Sequence, residues 1–232
     1  MVIAGIVAGG TGSRMGTDIP KQFLELCGKA ILVRTCECFL RVRQVDLLIC
    51  AVHPDRLGYT EELFKGSFTG DELSRIRIIE GGADRTASLV NIVRAVEKEP
   101  DITSSDILLT HDAARPFISE RIILDNIESA GRYGACTTAL PASDTILFSA
   151  DGSIITDTPE RSKMFHAQTP QSFTFEAFHA AFDRLSDEQK TRLTDVCGIF
   201  NSAGMPVHIV AGDQAAFKIT TPLDLKLAEA ML

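Results

Sequence analysis

The sequence has few basic residues and no long apolar run, and both absences narrow what the protein can do. Lys and Arg number 23 against 31 Asp and Glu, which gives a formal net charge of −8 at pH 7. An acidic chain is a poor candidate for a general nucleic-acid coat, although a local cationic pocket can still bind a small anionic substrate. No apolar run reaches the roughly 18 residues that a membrane-spanning helix needs. We therefore expect neither a nucleic-acid partner nor a membrane span.

Signals for secretion and for disulfide or metal chemistry are also missing. The N-terminal residues MVIAGIVAGGTG carry no basic n-region, and a Gly-Gly pair interrupts their apolar run, so they indicate a buried strand rather than a secretory signal. None of the six cysteines belongs to a CxxC pair. Because Cys36 and Cys38 lie in an apolar, helix-like stretch, core packing is favoured over metal or redox chemistry. We expect reduced thiols and a cytoplasmic protein.

Short β-rich runs alternate with amphipathic helical runs along the 232 residues. The predicted strands cover residues 2–8, 46–52, 76–79, 106–110, 135–141 and 207–211. The predicted helices cover residues 30–40, 56–64, 87–96, 120–130, 175–185, 193–203 and 223–232. This order is typical of an α/β fold, in which helices cover a mostly parallel sheet. Because no linker, repeat or low-complexity segment interrupts it, we interpret residues 1–232 as one domain.

The alternation breaks at residues 141–165. Two short β-like runs lie there, at residues 145–148 and 153–156, on either side of Asp151-Gly152. An Asp-Gly pair between two such runs is a strong signal for a β-hairpin. The sequence therefore predicts a hairpin arm inserted in the domain, and we expect the arm to serve self-association or closure of the site.

Polar clusters follow the predicted strands, at the edge where open parallel sheets bind ligands. The first is the glycine-rich turn at residues 8–16, which contains Arg14 and is followed by Lys21. Such turns let backbone N–H groups approach phosphate closely. The spacing matches neither the GxGxxG of a dinucleotide-binding fold nor the GK[ST] ending of a Walker A loop. With two cations beside it, the turn suits a triphosphate; a tight structural turn with two solvated charges is the alternative.

Two further clusters offer nucleotide and metal ligands. Residues 81–88, GGADRTAS, combine a glycine pair with Ser88, which either caps a helix or bonds a nucleobase. Residues 110–116, THDAARP, place Asp112 where a carboxylate can hold Mg²⁺ against phosphate oxygens. Arg115 either clamps a second phosphate or pairs with Asp112. His111 is interpreted as a structural histidine ahead of a catalytic base, and no other His lies at the helical spacing that a zinc site would use.

Other reaction classes have weaker support in the sequence. There is no GxSxG elbow and no catalytic-cysteine signature, which leaves covalent nucleophilic catalysis with little support. An NAD-binding oxidoreductase is one alternative, and the position of the third glycine and the Arg14/Lys21 pair argue against it. A non-catalytic nucleotide-binding module is another. The residues that argue against that module are Arg14, Lys21, Asp112 and Lys218.

Seven segments in order resemble the sugar-alcohol-phosphate cytidylyltransferases. They are AGGTGSRMG with PKQF, GGADRTAS, HDAARPF, DTI, QTPQSF, a Thr-Asp pair and KITTPLDL, and they span nearly the whole chain. The resemblance implies a three-layer, Rossmann-like nucleotidyltransferase fold, similar to type-A glycosyltransferases, with a mostly parallel sheet and a protruding arm. It also implies an enzyme that uses Mg²⁺, transfers CMP from CTP to a polyol phosphate, releases pyrophosphate and forms a homodimer through the arm.

The resemblance assigns roles to residues of this chain motif by motif. Charge on the reacting phosphorus would be stabilised by Arg14, Lys21 and Lys218. CTP would be bound by Ala8, Gly9, Gly10, Thr11, Gly12, Gly82, Asp84 and Ser88. The polyol phosphate would be surrounded by Asp112, Arg115, Thr145, Arg161, Thr169, Thr194 and Asp195, with the arm residues reaching across a dimer. Asp112 would also hold Mg²⁺.

The family has branches that differ in the acceptor. The segment TDVCGIF at residues 194–200 is similar to the branch that acts on D-ribitol 5-phosphate, as are three other segments, whereas HDAAR at residues 111–115 is similar to the 2-C-methyl-D-erythritol 4-phosphate branch. We therefore expect D-ribitol 5-phosphate as acceptor and CDP-ribitol, a precursor of teichoic-acid-like or capsular polymers, as product. The alternative is the methylerythritol acceptor of isoprenoid synthesis.

Overall fold

A computed structural model describes residues 1–10, 15–16, 19–191, 193 and 195–232, with backbone alone at residue 191. Its centre is a seven-stranded sheet in the order β5-β4-β1-β6-β8-β7-β9. The strands are β1 (Val2–Ala8), β4 (Leu47–Val52), β5 (Ile76–Glu80), β6 (Ile107–Asp112), β7 (Ala135–Pro141), β8 (Phe165–Thr174) and β9 (His208–Ala211). A separate pair, β2 (Glu25–Leu26) and β3 (Lys29–Ala30), forms a small antiparallel sheet. Six of the seven central strands run in one direction, and β8 runs against them.

Helices cover both faces of the sheet, as the α/β pattern predicts. They are α1 (Ile31–Leu40), α2 (Leu57–Lys65), α3 (Gly70–Ser74), α4 (Arg85–Val96), α5 (Glu120–Tyr133), α6 (Phe175–Phe182), α7 (Asp187–Thr191), α8 (Val196–Ser202) and α9 (Pro222–Ala230). Alternate residues of β1 enter different cores, because successive side chains of a strand point to opposite faces. Ile6 joins the core shared with α1 and α5, whereas Ile3 joins the core shared with α4, α6 and α8.

Side-chain caps fix the starts of α4, α8 and α9. The Asp84 side chain accepts a hydrogen bond from Ala87 N and begins α4. The Asp195 side chain accepts one from Gly198 N and begins α8. Thr221 and Asp224 form a reciprocal capping box at the start of α9. Such caps satisfy N–H groups that have no partner within the helix, and they place each helix start at a defined point.

Strand β8 was not predicted from the sequence, although it lies between β6 and β7 in the sheet. Its sequence, FHAQTPQSFT, contains a proline and several amide or hydroxyl side chains, which lack the apolar pattern of a buried strand. Those side chains are nevertheless buried, and other segments of the chain supply their hydrogen-bond partners. The strand is therefore specified by long-range polar contacts that a local pattern does not reveal.

The predicted hairpin arm is present with little strand pairing. Residues 142–164 leave the sheet between β7 and β8, but one isolated bridge, between Phe148 and Asp157, is the extent of strand pairing there. The tip is ordered instead by Asp151, whose carboxylate accepts hydrogen bonds from Ser153 N and Ile154 N. Side chain-to-backbone bonds of this type compete with a strand ladder.

The described residues include no helix whose length and apolar character would let it cross a membrane.

The predicted and observed elements also differ slightly in where they begin or end. Strand β6 runs to Asp112 rather than residue 110, so that His111 and Asp112 lie on the strand itself, and α8 begins at residue 196 rather than 193.

Candidate functional site

A cavity of about 320 Å³ opens beyond the carboxyl ends of β1 and β6. Gly9 and Gly10 after β1, the turn before α4 and the end of β6 meet there, as expected for ligand sites in open parallel sheets. The described residues that line it are Val7, Ala8, Gly9, Gly10, Lys21, Gln22, Gly82, Ala83, Asp84, Arg85, Ser88, Asp112, Ala113, Ala114, Lys218 and Thr220. Of the predicted residues, Thr11, Gly12, Arg14 and Thr194 lie outside the part of the chain that the structure describes.

The turn before α4 forms one wall of the cavity around the buried Ser88. The Ser88 hydroxyl accepts a hydrogen bond from Gly82 N at 3.0 Å and donates one to Asp84 O at 2.8 Å. The serine therefore fixes the turn rather than capping the helix, which Asp84 does. A side chain at position 82 would collide with Ala87 and Ser88, which explains the need for glycine.

Replacing Gly82 by alanine is expected to lower the free energy of unfolding by roughly 1–3 kcal/mol, the usual cost of overpacking. A Cβ atom at this position would lie 2.6 Å from the Ala87 carbonyl carbon and 2.9 Å from Ser88 N, so the backbone must move. The measurement is urea denaturation of Gly82→Ala beside Gly58→Ala, where the added Cβ meets no atom within 4 Å. Equal stability of the two variants would contradict the prediction.

Lys21 and Gln22, which also line the cavity, hold the chain that follows β1. The Gln22 side-chain amide donates hydrogen bonds to Ala8 O at 2.6 Å and Gly10 O at 2.8 Å. Lys21 Nζ donates to Ile219 O at 2.8 Å. The chain beyond β1 is thus tied to the segment that carries Lys218. Sequence reasoning singled out Lys21 but missed Gln22, although both belong to the PKQF segment.

Three cationic side chains surround the Asp112 carboxylate at the end of β6. Lys218 Nζ lies 2.9 Å from Oδ2, Arg115 Nε lies 3.4 Å from Oδ2, and Arg85 Nε lies 3.2 Å from Oδ1. Burial opposes ionisation of the carboxyl, but the charges of Arg85, Lys218 and Arg115 outweigh it and hold the pKa of Asp112 well below its usual range. Asp112 is therefore an anion that orders three cations.

The charge balance of this cluster favours an anionic ligand. The cavity is lined by three cations, Lys21, Arg85 and Lys218, and by two carboxylates, Asp84 and Asp112. Arg115 packs behind them and also donates from Nη1 to Ala216 O at 2.9 Å. Positive charge held by packing and hydrogen bonds stabilises phosphate groups without reorganisation when they bind. Arg85 was not predicted as a site residue, although GGADRTAS contains it.

His111 is a structural residue beneath the cavity. Its Nδ1 lies 2.9 Å from the Thr169 hydroxyl and its Nε2 lies 3.2 Å from Arg115 O. Thr169 also accepts a hydrogen bond from Asp112 N at 3.2 Å. Both residues are buried, and neither lines the cavity. The interpretation of His111 as structural agrees with these contacts. The Thr169 hydroxyl thus lies between His111 and Asp112 N, and its contact with the acceptor stays a prediction.

The burial of His111 predicts a pH dependence of stability. Burial lowers the pKa of His111 to about 4, whereas an unfolded histidine titrates near 6.5. The unfolded chain therefore binds the extra proton between these values, and stability decreases as the pH falls through that window by about 3 kcal/mol. In urea denaturation from pH 7 to pH 4, we expect His111→Asn to flatten this dependence, whereas His166→Asn, at an exposed position, retains it. Identical pH profiles for His111→Asn and the unchanged chain would contradict the assignment.

The start of α8 is joined to the sheet by Gln171. Its amide nitrogen lies 3.1 Å from Asp195 Oδ2 and 3.3 Å from Cys197 Sγ, and its oxygen accepts from Val196 N at 3.3 Å. The other oxygen of Asp195 caps α8. Asp195, a predicted acceptor ligand, thus serves in this structure to order the helix start. Sequence reasoning missed Gln171 because its partners lie more than twenty residues away.

The arm residues do not reach this cavity within one chain. Thr145 and Arg161 are exposed, and Arg161 donates to Ser143 O inside the arm. Neither lines the cavity. The prediction that they contact the acceptor therefore depends on a second copy of the chain.

Two carboxylates line the cavity, Asp112 among the cations and Asp84, which caps α4. Among the described residues, no group of three His, Cys, Asp or Glu side chains could hold a metal ion on its own. Mg²⁺ commonly takes one or two carboxylates and completes its shell with substrate phosphates and water. Asp112 fits that pattern as a single ligand, and it does not fit a closed protein metal site.

Comparisons with known proteins agree with this geometry. The family profile described as 2-C-methyl-D-erythritol 4-phosphate cytidylyltransferase (IspD) matches residues 2–232. Similar solved structures include a 4-diphosphocytidyl-2C-methyl-D-erythritol synthase from Anaerococcus prevotii, with 27% identity, a TM-score of 0.82 and coverage of 99% of this chain and 95% of that one. The Francisella tularensis IspD has 28% identity and a TM-score of 0.80, with coverage of 100% and 99%.

The 2-C-methyl-D-erythritol 4-phosphate cytidylyltransferase from Thermus thermophilus has 30% identity and a TM-score of 0.73, with coverage of 100% of this chain and 98% of that one. The predicted α/β nucleotidyltransferase fold and the resemblance to cytidylyltransferases are confirmed. The chain belongs to the IspD family and is a CTP-dependent cytidylyltransferase.

Proposed function

We propose that the enzyme transfers CMP from CTP to 2-C-methyl-D-erythritol 4-phosphate and releases pyrophosphate. The names of the matching family and of the similar structures support this acceptor. They favour the alternative given above over ribitol 5-phosphate, which we expected from the sequence. The observation that carries the reaction type is the cavity beside Gly9 and Gly10, which Lys21, Arg85 and Lys218 line and in which Arg85 and Lys218 pair with Asp112.

The proposed chemistry needs alignment and positive charge more than a strong base. An oxygen of the acceptor phosphate is already anionic near pH 7 and attacks the α-phosphorus of CTP. A new P–O bond forms, the bond to the β-phosphate bridge breaks, and pyrophosphate leaves with that electron pair. Lys21 and Lys218 stabilise the charge on the five-coordinate phosphorus. Arg14, outside the described residues, has the same proposed role.

The other proposed roles concern the binding of CTP, of the acceptor and of Mg²⁺. Gly9 and Gly10 cradle the CTP phosphates at the end of β1, and the Gly82–Ser88 turn holds cytidine. Asp112, with Arg115 packed behind it, and Asp195 are proposed to serve the acceptor. Thr194, outside the described residues, has the same proposed role. Asp112 is the proposed Mg²⁺ ligand, and the ion, when bound, neutralises phosphate charge and polarises the α-phosphorus.

D-Ribitol 5-phosphate is a second candidate acceptor because of one observation near the acceptor side. Cys197, from the TDVCGIF segment similar to the ribitol branch, lies 3.3 Å from the Gln171 amide, beside Asp195. The test is pyrophosphate release by purified protein with CTP, Mg²⁺ and each polyol phosphate in parallel. We expect a higher kcat/KM with methylerythritol 4-phosphate. A preference for ribitol 5-phosphate would replace the acceptor and leave the reaction type intact.

A second copy of the chain is the partner proposed for the arm. Four large apolar side chains on it are more than half exposed: Leu147 56%, Phe148 54%, Ile154 64% and Ile155 52%. Apolar side chains gathered on a projecting segment favour burial against another surface. In a dimer, Thr145 and Arg161 of one copy would approach the cavity of the other. A dimer formed through the arm would explain how Thr145 and Arg161, which do not line the cavity of their own chain, can serve a site.

Replacing Phe148 and Ile154 together by serine is expected to convert a dimer into a monomer, because both side chains would lose their apolar burial. Light scattering after size-exclusion chromatography measures the mass. The matched control is Tyr59→Ser with Leu223→Ser, since both residues are at least half exposed but lie away from the arm. A dimer that survives the arm substitutions, or a monomeric unchanged chain, would contradict the proposal.

A further inference from the structure

We propose that Gln168 is a positioning residue that sets where Lys218 stands relative to Asp112. The inference rests on the proposed function, because it concerns a residue that acts through Lys218 rather than on the substrate. Gln168 belongs to the QTPQSF segment, and none of the roles assigned above uses it. It lies on β8 and is 6% exposed.

Gln168 clamps one point of the chain from two sides. Its Nε2 donates to Asp213 O at 2.8 Å, and its Oε1 accepts from Asp213 N at 3.2 Å. A primary amide satisfies both groups of one backbone residue in this way, as a neighbouring strand would do. Asp213 comes just after the edge strand β9, whose hydrogen-bonded ladder ends at Ala211. The Gln168 amide therefore binds the backbone just beyond the last hydrogen-bonded residue of β9.

The chain approaches the amide closely at this point. A Cβ atom built on Gly212 would overlap Gln168 Oε1 and lie 3.2 Å from Gln168 Cδ. Gly212 N also donates to Ala139 O at 2.9 Å, which holds the backbone against β7. Position 212 must therefore be glycine for Gln168 to bind Asp213 in this way.

Residues 213–219, which we call the strap, lead from this clamp to the site. The Asp213 side chain accepts from Ala215 N and turns the strap at Gln214–Ala216. Arg115 then donates to Ala216 O, and Ile219 N donates to Ala114 O at 2.9 Å. Between these last two contacts Lys218 projects to Asp112 Oδ2 at 2.9 Å.

The contacts of the strap show why the clamp matters for Lys218. The two that flank the lysine fasten the strap to Ala114 and Arg115, in the turn that directly follows Asp112. Gln168 supplies an attachment to a different element, the strand β8, next to β6 in the sheet. Removal of the amide leaves the entry of the strap without that attachment, and a displacement of about 1 Å of a catalytic group is enough to lower turnover strongly.

The test is a double-mutant cycle between Gln168→Met and Lys218→Ala. Methionine keeps the side-chain length and loses both hydrogen bonds. We expect Gln168→Met to lower kcat about tenfold, and to have no further effect on kcat in the Lys218→Ala background. A residue with a merely structural role would lower kcat by the same factor in both backgrounds, and that additive result would overturn the proposal.

Two more variants keep the test independent of folding. Gly212→Ala should lower kcat to the level of Gln168→Met, because it expels the amide without changing it. Gln171→Met removes another buried glutamine of β8 but frees the start of α8, so its effect should be additive with Lys218→Ala and should raise the acceptor KM. Thermal unfolding reports whether each variant is folded.

The cycle separates failure of this inference from failure of the proposed function. It is run with whichever polyol phosphate the unchanged enzyme turns over. If neither is turned over, the proposed acceptors fail, and the cycle is measured on the dissociation constant of CTP, where the same non-additivity is expected. Additivity in that measurement overturns the role of Gln168 whatever the acceptor is.

Discussion

Replacing Lys21 by methionine is expected to lower kcat by about 10²–10³-fold, the cost of losing one preorganised group that stabilises transition-state charge. Lys21 lines the cavity, and its ammonium group donates to Ile219 O at 2.8 Å, in the strap that carries Lys218. The charge on phosphorus grows during the reaction, so the loss should fall on kcat more than on the KM for CTP. Steady-state pyrophosphate release measures both constants.

The matched control is Lys65→Met. It removes the same charge from an exposed helical lysine that pairs with Glu62 at 2.7 Å, away from the cavity. We expect its kcat to equal that of the unchanged enzyme. Comparable losses in the two variants would mean that overall charge matters rather than Lys21, and a rise in KM alone would assign Lys21 to ground-state binding.

Replacing Asp112 by asparagine is expected to lower the free energy of unfolding by about 3–5 kcal/mol, the usual result of removing one partner from a buried ion pair. Arg115, which is 9% exposed, Arg85 and Lys218 all pair with Asp112. Three cations would therefore lose their shared counter-charge. Urea denaturation measures the loss. Asp125→Asn is the control, because it breaks an exposed pair with Arg121 and should change stability far less.

The pH dependence of the Asp112 effect has a defined sign. Its pKa in the folded chain is well below the unfolded value near 3.9. The contribution of the carboxylate is therefore complete above that unfolded value and is lost as the pH falls through the folded pKa. We expect the stability difference between the unchanged chain and Asp112→Asn to stay constant from pH 5 to pH 8. A difference that grows steadily across that range would contradict the ion cluster.

The parallel strands were predictable because their burial leaves a local signature. A strand covered on both faces is a continuous apolar run, and β1 and β4 match the predicted ranges within one residue. Strand β8 and the irregular arm have no such signature. Gln168 and Gln171 find their partners across the fold, and Asp151 competes with strand pairing through its own backbone contacts.

The sequence was enough to predict which segments form the site, but it did not show which side chains contact each other there. Strand ends in a parallel sheet converge, so the turn after β1, the turn before α4 and the end of β6 were expected together. Which side chain faces which depends on distances between segments far apart in the chain. Arg85 and Gln22 were missed for this reason.

The most direct test of the account follows the two ends of the triphosphate during one reaction. The enzyme is incubated with Mg²⁺, methylerythritol 4-phosphate and CTP labelled at either the α- or the γ-phosphate, and the products are identified by mass and label. The account predicts that the α label enters a cytidine-diphosphate-linked polyol and the γ label enters pyrophosphate. Transfer of the γ label to the acceptor, or an acceptor that stays unchanged while CTP is hydrolysed, would contradict it.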